Sequence, residues 1–296
     1  MIKVIIKFLL IIFSILILAI LYLSVFGIKT DKFNNQITNN ILKLNKKINL
    51  DLSNVNFLLN PYDFTINVKT KNPEILLEGR SLAIKEIQTN VALKALIGDQ
   101  FSIDDLQLTT KEVKLNDIIA LVRVFQNSPQ IFVLDSIVKD GYATAKIKLN
   151  FDENGRIKKN YKINGFVKKA KLNILNQLKS ENLNFNFNIE RDVYSLKLID
   201  TQLNDIEITA PLIEIKKINN SFFVNGQFLN KKKSFDAEEF NLNFANFFND
   251  LDVQKAVFSS KNNFSFNVNK DFKFNNFKVE STINLNQLII NQKNLK

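Results

Sequence analysis

Ser136 and Lys139 stand three residues apart in the S-x-x-K pattern with which serine acylases let a lysine amine activate the nucleophile. That chemistry needs a helical turn, whereas the alternation around these residues predicts a strand, where positions three apart face opposite sides. Asp152-Glu153-Asn154-Gly155 begins like a calcium loop, but Arg156 follows, later oxygen ligands are missing and no glutamate closes it. It reads as a hairpin turn. The adjacent pairs Asp104-Asp105 and Glu238-Glu239 diverge if they lie in strands and form no acid/base couple. The chain has neither His nor Cys, so histidine triads, the usual zinc sites and disulfides are excluded. No catalytic residue, metal ligand or cofactor site is expected. The only enzyme reading left is a hydrolase working on carboxylates alone.

The elements that would have to position a site are mostly strands. From Ile48 onward apolar residues recur at period two: Leu50/Leu52, Val55/Phe57, then Tyr62, Phe64, Ile66 and Val68. Asn60-Pro61 and Asn72-Pro73 mark turns. Short helices are predicted over 31–47, over 91–97 before Gly98, and from Ile118 to Phe125 after an Asp117 cap. The first carries an apolar stripe of Phe33, Ile37, Ile41 and Leu44. Strands follow at Phe101/Ile103, Leu106/Leu108 and Val113/Leu115, and beyond Gln130 the pattern is almost wholly β. Ala143 to Phe151 and Tyr161 to Val167 form a hairpin, and the alternation continues through Tyr194/Leu196/Leu198, Ile206/Ile208, Ile213/Ile215 and later pairs. The expected fold is mainly β with a few short helices: a transmembrane helix, then a twisted antiparallel meander forming an open groove or a sandwich. The expected segments are an anchor at 1–28, an α+β segment at 29–129 and an extended sheet at 130–296.

Phe8–Phe26 carries no charge and, as a helix at ~1.5 Å per residue, reaches about 28 Å, near the ~30 Å of a bilayer core. Lys3, Lys7 and the amino terminus precede it, while Lys29 and Lys32 follow with Asp31 between them. The positive-inside bias favours a cytoplasmic N-terminus with the bulk of the chain exported. A cleaved signal peptide is the competing reading, with Val25 and Gly27 at −3 and −1, but the apolar run exceeds the usual signal length. The net charge of +11, with clusters at Lys168-Lys169-Lys171, Lys216-Lys217 and Lys231-Lys232-Lys233, would suit anionic headgroups. The favoured explanation is compositional, since lysines keep exposed sheet surfaces soluble. Nucleic acid is not an expected partner on the exported side.

An antiparallel sheet with one apolar face must bury it, either against a second sheet or against apolar material from outside. The candidate lining residues are Phe185, Phe187, Ile189, Leu196, Leu198, Ile206, Ile208, Phe222, Val224, Phe264 and Phe266.

The order of parts resembles the AsmA-like family of inner-membrane proteins, relatives of the TamB-type and bridge-like lipid transfer proteins. The residues that carry the likeness are the anchor, the predicted helix over 31–47, and the runs LDLSNVNFLLNPYDFTINVKTKNPEI, NVALKALIGDQFSIDDLQLTTKEVKL and AKIKLNFDENGRIKKNYKINGFVKKAKLNIL. The resemblance implies a single-pass inner-membrane protein with a periplasmic β-groove that conducts phospholipids toward the outer membrane, and no catalytic residues. Two departures matter. Family members are usually much longer, and this chain stops within the strand-like series Ile283, Leu285, Leu288 and Ile290. The expectation is therefore either a piece of a longer protein or a last strand whose edge meets an envelope protein. A structural or assembly factor that binds a partner through that edge is the alternative function.

Overall fold

The computed structural model describes residues 2–32, 34–35, 38–39, 48–77, 80–93, 103–125, 129–152, 158–174, 178–219, 221–244, 251–271 and 273–291. The chain is mainly antiparallel β, and its long period-two runs are the cause, since alternation gives each strand one apolar and one polar face. It divides into two units: Met1–Phe132 with Ala143–Gly165, and Val133–Tyr142 with Phe166–Lys296.

The first helix, α1, runs Ile2–Val25, and 22 of its residues, Val4–Val25, are long and apolar enough to cross a membrane. Among the described residues nearly all of these side chains are exposed, and only the end next to β3 is partly covered. Strands β1 (Ile28–Thr30), β2 (Ile48–Asp51), β3 (Val55–Asn60), β4 (Thr65–Lys71), β5 (Glu74–Leu77), β6 (Arg80–Ala92), β7 (Ile103–Thr110) and β8 (Val113–Lys114) follow. Then come α2 (Leu115–Phe125), α3 (Pro129–Ile137) and β9 (Val138–Asn150). The sheet order in the first unit is β1-β3-β4-β6-β7-β9, with β5 pairing β6, β2 pairing β5 and β8 pairing β9. Leu50, Ile75, Leu82, Ile84 and Val113 form its buried core, flanked by Leu108 from β7 and by Ile118 and Ala120 from α2.

Gly27 joins α1 to this sheet. Its φ of +65° is left-handed, and a Cβ there would lie 2.4 Å from the Phe57 carbonyl oxygen on β3. Gly27→Val is therefore expected to push β1 off β3 and loosen the junction, on top of ~1–2 kcal/mol for a left-handed side chain. Limited proteolysis in proteoliposomes should show faster cutting just after the helix; an unchanged rate would refute this.

Several sequence expectations need correction. Tyr62 and Phe64 are not strand residues but part of the turn at 61–64, because the Asn60 Oδ1 accepts the Tyr62 N–H at 3.1 Å and pulls the chain round. Tyr62 is 93% exposed. Val91 and Ala92 finish β6 instead of starting a helix; Leu93 is helical, and 94–100 lie outside the described residues. Leu115 begins α2, so the Val113 strand is only two residues long. The region beyond Gln130 starts with helix, since Pro129 sits in the first turn of α3, where its missing N–H costs nothing. Of the helix expected at 31–47, the described Asn34, Asn35, Thr38 and Asn39 are helical, while Phe33, Ile37, Ile41 and Leu44 lie outside the described residues. Asn154 and Gly155 of the expected hairpin turn lie outside them too, as does Phe101.

The second unit is a meander of long strands: β10 (Lys162–Ile174), β11 (Leu178–Glu190), β12 (Val193–Leu203), β13 (Ile206–Ile218), β14 (Ser221–Asp236), β15 (Val253–Asn269) and β16 (Phe274–Ile290), paired in that order. Helix α4 (Ala237–Phe244) joins β14 to β15. Ile206/Ile208 and Ile213/Ile215, expected as separate strands, are one strand. Between them a register shift at Thr209/Leu212 takes in Pro211, which has no N–H to give a ladder.

Candidate functional site

The residues first weighed for chemistry are occupied with structure. Ser136 lies in α3, where its Oγ donates to the Val133 carbonyl at 2.7 Å, while Lys139 Nζ donates to the Ser136 carbonyl and not to the hydroxyl. Asp105 Oδ1 accepts from the Asn90 N–H and from Asn90 Nδ2 at 2.8 Å; the side chain of Asp104 lies outside the described set. Glu238 and Glu239 are not in a strand. They occupy the first turn of α4, where Asp236 Oδ1 accepts the Glu239 N–H at 2.9 Å and carboxylates suit the helix dipole.

The candidate site is instead a surface of the second unit. Cross-strand partners share a face, so register alone traces rows of side chains across the sheet. One row runs Phe187, Leu196, Ile213, Gly226, Phe264, Val279 over β11 to β16. The next runs Ile189, Tyr194, Ile215, Val224, Phe266, with the Phe277 ring 6.0 Å from that of Phe266. A third holds Phe222, Val268 and Phe274. Gly226 has a reason to be small: a Cβ there would sit 3.0 Å from both the Ile213 and Phe264 side chains, which close over the gap. Most of these side chains are half-buried and Phe277 is 68% exposed, so the rows present a broad apolar surface with no second sheet over it among the described residues of this unit.

The upper end of the same face is covered. Phe235, Phe240, Val253 and Ala256 form a buried cluster under α4, flanked by Ile206, Phe244 and Phe258. Between that cluster and the open rows lies a polar band in which Ser260 Oγ donates to Asn230 Oδ1 and Asn262 Nδ2 donates to Ser260 Oγ at 2.7 Å. The opposite face is polar. Glu214 pairs with Lys216 at 3.1 Å and Glu207 with Lys231 at 2.8 Å. The hydrogen bond from Lys231 and then its charge hold the Glu207 carboxyl below the usual carboxylate range, and the same hydrogen bond raises the Lys231 ammonium. Both groups are exposed, so this pair serves solubility more than stability.

Of the residues named from sequence, Phe187, Leu196 and Phe264 share the first row, Ile189, Val224 and Phe266 the second, and Phe222 the third. Phe185 sets its ring 6.4 Å from that of Phe187. Ile208 stands opposite Asn230 at the polar band, and Ile206 packs into the covered cluster. Leu198 does not continue the alternation. It has φ +53°, is 70% exposed and faces Pro211 across an unpaired step. Reading the sequence missed Tyr194, Ile213, Ile215, Val268, Phe274, Phe277 and Val279 as members of the rows. For Ile213, Ile215, Phe277 and Val279 the signal is a change of parity, at Pro211 and again at Asn276 with φ +53°.

No protein-family model matches this chain, and neither does any curated protein or solved structure.

Proposed function

We propose that this chain is a membrane-anchored, non-catalytic lipid-binding or transfer protein of AsmA-like type, with its N-terminus in the cytoplasm and its sheet in the periplasm. The observation that supports it most is the set of half-exposed apolar rows on a single sheet. Helix α1 adds the anchor. At ~4.8 Å between strands, the row from Phe187 to Val279 spans about 24 Å, more than the ~15 Å of one leaflet's acyl chains. Covering it with hydrocarbon gains ~0.8 kcal/mol per buried methylene. Phospholipid held there would be handed along the apolar face in the service of the outer membrane.

The test is a photoreactive benzophenone side chain placed at Phe266, and separately at Lys216 on the polar face, in the full chain in proteoliposomes. The expected result is phospholipid adducts at Phe266 and none at Lys216. Adducts at neither position, or equally at both, would reject the reading. The uncovered edge of β16 favours a second reading, an envelope assembly factor that takes a protein strand there, and adducts with protein only would support it.

A further inference from the structure

Strand β16 is 17 residues long and pairs with β15 on one side, while no described residue pairs with its other edge. An edge of that length that no described residue pairs, with Phe277, Val279, Ile283 and Leu285 exposed beside it, is a template for another strand. Natural edges are blunted by prolines, clustered charges, bulges or brevity; β16 has no proline and only Lys278 and Glu280 as charges, and its two bulges, at Asn276 and Asn286, leave the stretch from Lys278 to Leu285 in regular register.

The pattern along β16 is symmetric about Ser281. Moving outward in both directions, Glu280 corresponds to Thr282, Val279 to Ile283, Lys278 to Asn284, Phe277 to Leu285, Asn276 to Asn286, Asn275 to Gln287 and Phe274 to Leu288. Apolar residues thus match apolar and polar match polar. Two of the three register shifts match as well; the third, between Val253 and Lys255, carries its extra residue on β15. Against β15, the extra residue of one bulge is Asn276, between the pairs of Lys278 and Asn275, and that of the other is Asn286, between the pairs of Gln287 and Leu285. A plain alternating strand has the first symmetry at many centres; two bulges equidistant from one residue select a single centre.

We propose that β16 is a homodimerisation edge, pairing antiparallel with β16 of a second copy about a two-fold axis through Ser281. A symmetric interface must be self-complementary, with residue i on j and j on i, and this strand meets that condition in this register. A slip of one residue would set apolar side chains against the polar face, and a slip of two would set each bulge against a regular position. No like charges stand directly opposite: Lys278 meets Asn284 and Glu280 meets Thr282. The axis stands normal to the sheet, so the apolar faces of both copies lie on the same side and join across the seam. The proposal does not depend on which ligand those faces bind.

The chain has no cysteine, so single cysteines test it cleanly in the full protein, in detergent and in proteoliposomes. Directly opposed Cα atoms in an antiparallel pair lie ~4.5–5.5 Å apart, within disulfide reach. Under mild oxidation Ser281→Cys is expected to give a covalent dimer by itself. Lys278→Cys and Asn284→Cys, six positions out of register with themselves, are each expected to stay monomeric on a denaturing gel but to cross-link when mixed. The unmodified protein should have the mass of two chains by light scattering. A monomeric mass, or Ser281→Cys linking no faster than Lys278→Cys alone, overturns the proposal; the second result also exposes a dimer made through α1 or with another register.

Discussion

Replacing Phe187 by Glu together with Leu196 by Lys is expected to strip phospholipid from the sheet while leaving the protein folded. The two positions face each other directly across β11 and β12, at the β11 end of the first apolar row. Opposed Cβ atoms lie ~4.5–5.5 Å apart, so the introduced charges find each other and the strands keep a cross-strand pair. Each lost side chain was half-buried, so the cost stays below the ~1.5–3 kcal/mol of a fully buried one. Hydrocarbon laid over the pair is another matter, because desolvating even paired ions costs several kcal/mol each, and ~1.4 kcal/mol is already tenfold in occupancy. Phospholipid adducts at a benzophenone on Phe266 should fall at least about tenfold, with the circular dichroism spectrum and urea midpoint near those of the parent. Ser195→Lys, which faces Glu214 on the polar side, should leave the adducts unchanged. A folded double variant that still labels phospholipid at the parental level would sink the lipid reading.

The contrast between those two faces is what the sequence makes legible, because period two is a direct consequence of pleating. Phe222/Val224 and Phe264/Phe266 read correctly as one face since β14 and β15 keep register from Ser221 to Asn230. What the sequence hides is where the alternation resets. Lys169, Asn182 and Leu198 all have positive φ, in β10, β11 and β12, and Pro211 interrupts β13 opposite Leu198. Left-handed backbone costs a non-glycine residue ~1–2 kcal/mol, so single-residue preferences argue against it at Lys and Leu. Neighbouring strands supply the compensation: the Lys169 N–H donates to Asn184 Oδ1 at 3.0 Å, a bond that exists only once the strands are paired. Alternation alone therefore places Leu198 in the apolar rows and leaves Ile213 out. Asn, tolerant of positive φ, is the hint that the sequence does carry, and within these strands it stands at 182 and at 276. The helix at Pro129 was missed for a related reason, since its short apolar run suits either element until Pro129 is placed in a first turn.

Phe235→Ala should be the most destabilising single change in the second unit. Its side chain is 0% exposed, stacked 5.1 Å from Phe258 and edge-on 5.3 Å from Phe244, with Lys233 Nζ 5.1 Å above the ring. Truncating a buried Phe costs ~3–5 kcal/mol, a large share of the ~5–15 kcal/mol that holds a domain together. The loss falls on α4 first. Eight residues are too few to stay helical unaided, so α4 depends on Phe240 and Phe244 being seated on the sheet. Its amides should lose protection from hydrogen exchange before the strands do, and the urea midpoint should drop. Phe235→Leu, which leaves a smaller cavity, should fall between the two. A loss under ~1 kcal/mol would mean that the cluster is not what fastens the helix. The same variant separates two properties of one face. Ile206, Phe258 and Ala256 lose their cover, while the rows around Phe264 and Phe266, beyond the Asn230–Ser260–Asn262 band, keep their geometry. Phospholipid labelling at Phe266 should therefore persist below the new unfolding midpoint, because α4 closes one end of the apolar face and the open rows owe their exposure to a sheet that no other described residue of the unit covers.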